Sequence, residues 1–161
     1  MATAITTAKA AEIIGIGYEG LRSYLKRGLL GRSGVLPPLV SSDSPAPDLT
    51  NIRSTWKRFG FTDLCLMRLA KQLIDLGLNF DQANTVVSHE ELRALFRESG
   101  AITDAVLMCW PPDYDFMLFK RGDLHLLPLR LEEAGDLAMV IKLGATAKHT
   151  RTELDRLALI D

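Results

Sequence analysis

Residues 12–30, "EIIGIGYEGLRSYLKRGLL", contain Gly15, Gly17 and Gly20 in the spacing G-x-G-x-x-G. Two incompatible structures suit that spacing. In one, the glycines line a loop between a strand and a helix and cradle a pyrophosphate. In the other, Gly15-Ile16-Gly17 is the turn between two helices, and the helix that starts at Tyr18 docks on a duplex. The first makes the chain a nucleotide-binding enzyme; the second makes it a regulator.

The flanking residues separate the two. A dinucleotide loop follows a hydrophobic strand and needs an acidic residue about 20 positions on. Here "AKAAEII" precedes the first glycine, and its alanines favour a helix. The stretch "VLPPLV" lies where the acid belongs, and Asp43 and Asp48 sit among prolines. No Gly-Lys-Ser/Thr follows, so a Walker loop is also excluded. The pattern therefore predicts a helix over residues 5–15, capped by Thr6 or Thr7, with Ile5, Ala8, Ala11 and Ile14 as its inner stripe. A second helix runs from Tyr18 to Arg27 with Leu21 and Leu25 on one face; Gly28 stops it, and Leu29 and Leu30 pack behind. Gly15 and Gly17 supply backbone freedom in the turn. Gly20, inside the helix, costs about 1 kcal/mol relative to Ala and marks a close approach to the first helix or to DNA.

Further along, "GRSGVLPPLVSSDSPAPDLTNIRSTW" holds four of the seven prolines and reads as a long loop. Order resumes at "WKRFGFTDLCLMRLAKQLIDLGL". Thr62 is the expected N-cap, Asp63 complements the helix dipole, and Leu66, Leu69, Ala70, Leu73 and Leu76 keep a helical period to Gly77. A short helix follows from Asn79 or Asp81 to Val87, and another over 89–98. After Gly100 the pattern changes. "AVLMCWP" (105–111) and "DFMLFKR" (115–121) read as strands joined by "PPDY". "LHLLPLRL" (124–131) reads as a third strand, kept to an edge by Pro128. "LAMVIKLGA" is a last strand and "TAKHTRTELDRLALI" a closing helix. The fold class expected is α+β: a mainly helical, winged helix-turn-helix front part, then a small α/β or α+β module.

The residues of the opening stretch carry a family resemblance. Gly15, Ile16, Leu21, Arg22, Tyr24, Gly28, Leu29 and Leu30 follow, without a gap, the order of the winged-helix domain of MerR-type regulators. "RFGFTDLCLMRLAKQLIDLGLNFDQA" is similar to the family's second block. The resemblance covers about residues 5–88 and implies a DNA-binding domain over 1–88, its wing loop at 31–55, with a dimerisation or sensing module over 89–161. It implies that Arg22 and Tyr24 meet phosphates and that Tyr18 lies near bases or backbone.

Physical chemistry supports the same surface. Tyr18, Arg22 and Lys26 fall at i, i+4 and i+8, with Ser23 and Arg27 alongside, while Leu21 and Leu25 face inward. Arginine, lysine and tyrosine hydroxyl groups are suited to phosphate oxygens. Arg32, Arg53, Lys57 and Arg58 make both ends of the loop basic, as expected of a wing that reaches a flanking groove. Trp56 and Phe59 or Phe61 are expected to pack rather than to wedge bases.

Composition bounds the rest. The chain has 161 residues, 47% hydrophobic and 24% charged, with a net charge of −1. That composition matches ordinary globular domains. Residues 1–76 hold ten Lys/Arg against six Asp/Glu, and residues 77–161 hold nine against fourteen. A basic front and an acidic rear suggest two jobs, one of them at a polyanion. No apolar run approaches the ~20 residues of a membrane span, and no leader pattern opens the chain, so a cytoplasmic protein without membrane contact is expected. Cys65 and Cys109 lie far apart and are expected to be reduced, buried thiols. His89, His125 and His149 are scattered, and the paired acids Asp113, Asp115, Glu132 and Glu133 have no companion base or nucleophile. Neither a metal site, a cofactor nor a catalytic set is expected.

The expected function is that of a sequence-specific, DNA-binding transcriptional regulator acting as a homodimer on double-stranded DNA. Its C-terminal module has room for an effector or a protein partner. The alternatives are an excisionase-like or architectural DNA-bending factor, or a protein-interaction or ligand-binding module whose winged helix no longer engages DNA.

Overall fold

A computed structural model describes residues 5–30, 58–99 and 103–160. Helix α1 (Thr7–Ile14) begins where Thr6 turns its hydroxyl back to accept from the Lys9 amide, 3.4 Å away. It ends at Gly15, whose φ of +86° is a left-handed conformation that a side chain disfavours. Its buried side chains are Thr7, Ala10, Ala11, Ile13 and Ile14, whereas Ala8, expected inside, faces solvent. The inner face is rotated because two later helices, not α2 alone, pack on α1.

Helix α2 (Tyr18–Lys26) follows after Gly15-Ile16-Gly17. Gly17 holds an ordinary φ of −67°, so of the two turn glycines only Gly15 needs its freedom. At Gly20 a methyl group would sit 3.1 Å from the Ile16 side chain, so the close approach there is to the turn itself. Leu21 and Leu25 are buried, and Leu29 and Leu30 fold in behind Gly28, whose φ is +93°. The bridge between Ile5 and Phe59, bonded in both directions at 2.9 Å, brings the chain back beside α1.

Helix α3 (Phe61–Asp75) starts two residues earlier than its threonine suggests. Gly60 is the N-cap, and Thr62 lies within the first turn. Phe61 is pulled into the core, and burying that ring decides where the helix begins. Leu64, Leu66, Leu69 and Leu73 are fully enclosed, making α3 the central helix, while Leu76 at its C-cap is 48% exposed. Gly77 (φ +121°) turns the chain into α4 (Phe80–Val87), where Asn79 and Gln82 form a reciprocal capping box. Helix α5 (Glu90–Ser99) lies against α3 and is tied to it by Arg93 and Asp63, 3.0 Å apart.

Strands β1 (Val106–Trp110), β2 (Asp115–Phe119) and β3 (Met139–Lys142) form an antiparallel sheet in the order β2-β1-β3. The register pairs Met108 with Met117 on one side and with Val140 on the other. Strand β1 is thus paired along both edges, and among the described residues β2 and β3 are the terminal strands. Residues 124–131 are not a third strand. A 3-10 helix (Arg121–Leu126) leads into α6 (Leu127–Glu133), with Pro128 at the helix start where its missing amide costs nothing. The third strand is instead Met139–Lys142, and α7 (Leu143–Ile160) follows it directly.

Helix α7 packs on α3 and α1. One apolar core therefore runs from Ile5, Ile13 and Leu21 through Leu66 and Leu92 to Leu107, Leu143 and Leu157. Cys65 and Cys109 are free thiols inside it. The architecture is α+β and mostly helical, with seven α-helices and a three-stranded sheet among the described residues. No helix among them is long and apolar enough to cross a membrane.

Candidate nucleic-acid interface

The surface singled out by the sequence is the outer face of α2. Leu21 and Leu25 seat the helix, which leaves Glu19, Ser23, Lys26 and Arg27 exposed and Tyr18, Arg22 and Tyr24 half-buried. Arg22 lies 3.7 Å from Glu19, one turn earlier, with 43% of its own side chain exposed. That pair is weak in water and breaks readily for a phosphate, which offers more charge and better geometry. Tyr18 borders a cleft of about 250 Å³ with Thr6, Thr7 and Ala8, so the start of α2 opens beside the start of α1.

The end of α2 is held differently. Tyr24 stacks on Phe80 with ring centroids 5.2 Å apart, and the Arg27 guanidinium lies 4.1 Å from the same ring's centroid. Tyr24 and Arg27 thus help to moor α2 to α4, although both keep an exposed part. Asn84, also on α4, completes the mooring. Its side-chain oxygen accepts from the Leu30 amide at 2.8 Å, and its amide nitrogen donates to the Gly28 carbonyl at 3.1 Å. Phe80 and Asn84 were not among the expected site residues. A capped helix containing Phe80 is visible in the sequence, but its pairing with α2 spans more than fifty positions and leaves no local mark.

The turn before α2 is braced from below. Arg68 on α3 donates to the Ile14 carbonyl at 2.6 Å, and His149 on α7 lies 2.8 Å from the Ile13 carbonyl. Both groups meet the negative end of the α1 dipole. Arg156 reaches Glu12 at 2.8 Å on the outside. The orientation of α2 therefore depends on residues from α3, α4 and α7.

Of the expected wing residues, Arg58 is half-buried next to Phe59, and Phe59 and Phe61 belong to the core. Arg32, Arg53, Lys57 and Trp56 lie outside the described residues, as does the 31–55 loop. The histidines are dispersed: His89 meets the Phe116 ring edge-on at 4.7 Å, His125 is exposed, and His149 braces α1. No group of three metal-binding side chains gathers among the described residues. Burial pushes the Cys65 thiol up to about 12, offset in part by its hydrogen bond with Thr150, and burial also raises Cys109. Both thiols are consequently poor nucleophiles.

The arrangement presents a rigidly seated helix whose outer face carries two cations in a row, hydroxyl groups beside them and one carboxylate. Such a surface can hydrogen-bond a row of anionic oxygens and read groups between them. No protein-family model and no curated protein matches the chain.

Proposed function

We propose that the protein is a DNA-binding regulator of transcription that presents α2 to the major groove. What supports this is the division of α2 into a buried face, Leu21 and Leu25, and an outward face carrying the half-buried Tyr18 and Arg22 and the exposed Ser23 and Lys26. Arg22, Tyr24 and Lys26 engage phosphates, and Tyr18 and Ser23 lie nearest the bases. Arg32, Arg53, Lys57 and Arg58 add phosphate contacts at the ends of the wing loop. One short helix reads few base pairs, so two copies acting on two half-sites supply the affinity a regulator needs.

The test is binding to a pool of genomic DNA fragments across a salt series. The parent binds in a salt-sensitive manner, and Arg22→Ala loses most of the affinity while the slope of log affinity against log salt falls by about 1. Equal binding by the variant rejects this docking mode. A protein without any salt-sensitive DNA binding belongs to the protein-interaction class instead.

A further inference from the structure

A groove of about 660 Å³ runs between α4 and β2, and its lining reveals its geometry. Every residue from Asp113 to Leu118 lines it, although side chains along a strand alternate between faces. Consecutive residues can share one groove only if the groove follows the edge of the strand. Strand β2 is the terminal strand of the sheet, and its residues make no backbone hydrogen bond beyond those to β1 among the described residues. The opposite wall is the exposed side of α4, with Asp81 and Thr85, continued by His89 against Phe116.

An open strand edge invites another strand, and proteins usually blunt it with lysine, proline or a bulge. Within β2 none of these occurs: Phe116, Met117 and Leu118 are each half-exposed, and the pairing with β1 is regular. The charge along the groove has one sign. Asp81, Glu91, Asp113 and Asp115 line it, and no lysine or arginine is among its described lining residues. Two copies paired edge to edge through β2 would bring two such acidic walls together, and DNA would meet the same repulsion.

We propose that this groove binds an extended, lysine- or arginine-rich segment of a partner protein, which adds to β2 as a fourth strand. Its backbone pairs with the open edge, and its basic side chains meet Asp81, Glu91, Asp113 and Asp115. This docking site goes beyond the DNA-binding surface and holds whether or not α2 meets DNA.

The probe is a synthetic peptide of alternating lysine and valine, titrated into the full chain. It binds in a salt-sensitive manner, a glutamate-valine counterpart does not, and N-methylation of alternate peptide amides abolishes binding. The triple variant Glu91→Gln, Asp113→Asn, Asp115→Asn binds about tenfold more weakly, as expected for the loss of three exposed ion pairs. Those replacements keep side-chain shape, and an unchanged melting temperature verifies the fold. Failure of the lysine peptide to bind overturns the proposal. So does equal binding of the N-methylated peptide, which would mean adsorption by charge alone. Peptide binding that disappears as the protein self-associates assigns the edge to a second copy and overturns it as well.

Discussion

The imidazole Nε2 of His149, in α7, lies 2.8 Å from the carbonyl oxygen of Ile13 at the end of α1, 136 residues earlier. With Arg68 on the neighbouring Ile14 carbonyl, it satisfies two of the acceptors that a helix leaves open at its C-terminus. The first and last described helices are therefore joined by a polar contact directly beneath the turn into α2.

His149→Ala and Arg68→Ala should each destabilise the protein by about 1–3 kcal/mol, because each leaves a carbonyl near the core without its donor. Urea unfolding measures the loss. A double variant that loses less than the sum of the two singles would show that the two donors act on one unit.

Asn84→Ala removes both bonds that hold Gly28 and Leu30 against α4. The expected cost is about 1–3 kcal/mol. Amide exchange should speed up first at Leu29 and Leu30, since the mooring of the α2 end is lost before the core. Uniform acceleration across the chain would count against a local clip.

Lys26 and Arg27 adjoin in sequence but should differ in effect. Arg27 lies over Phe80, so Arg27→Ala should lower stability by about 0.5–1 kcal/mol. Lys26 is exposed, so Lys26→Ala should leave stability within about 0.5 kcal/mol of the parent. Under the proposed docking it reduces the salt slope of DNA binding by about 1. Paired melting and binding curves separate the two.

Gly144, the second residue of α7, lies under the Thr103 carbonyl, and a methyl group there would run into that oxygen. Gly144→Ala should cost about 1–3 kcal/mol through overpacking. Gly122 has open space around its α-carbon, so Gly122→Ala serves as the control and should stay within about 0.5 kcal/mol of the parent.

Cys65 links stability to alkaline pH. Burial raises its folded value from 9.0 to about 12, so the folded protein retains a proton that the unfolded chain releases. Its contribution is complete below pH 9 and declines as pH rises from there toward 12. Cys65→Ala should flatten that part of the pH–stability curve while lowering stability at neutral pH. In the folded parent, both thiols should resist a disulfide reagent until denaturant is added.

The sequence alone determined the elements whose signals are local. The alternation of leucines with glycine stops marked α2, α3 and the turn between Gly15 and Gly17, and the "PPDY" turn marked the β1–β2 hairpin. The inward face of α2 was equally legible, because a period of 3.6 places Leu21 and Leu25 together wherever the helix packs. Tertiary structure decided what local signals leave balanced. Residues 124–131 alternate well enough for a strand, yet Pro128 fits a helix start, and β3 takes the place beside β1. Ala8 faced outward and Gly60 displaced Thr62 as a cap, because packing on α7 and burial of Phe61 outweighed propensities worth tenths of a kcal/mol. Phe80, Asn84, Arg68 and His149 brace α2 across fifty to more than one hundred positions. Contacts at such separation depend on where the chain returns in space, and that position is determined only by the whole core.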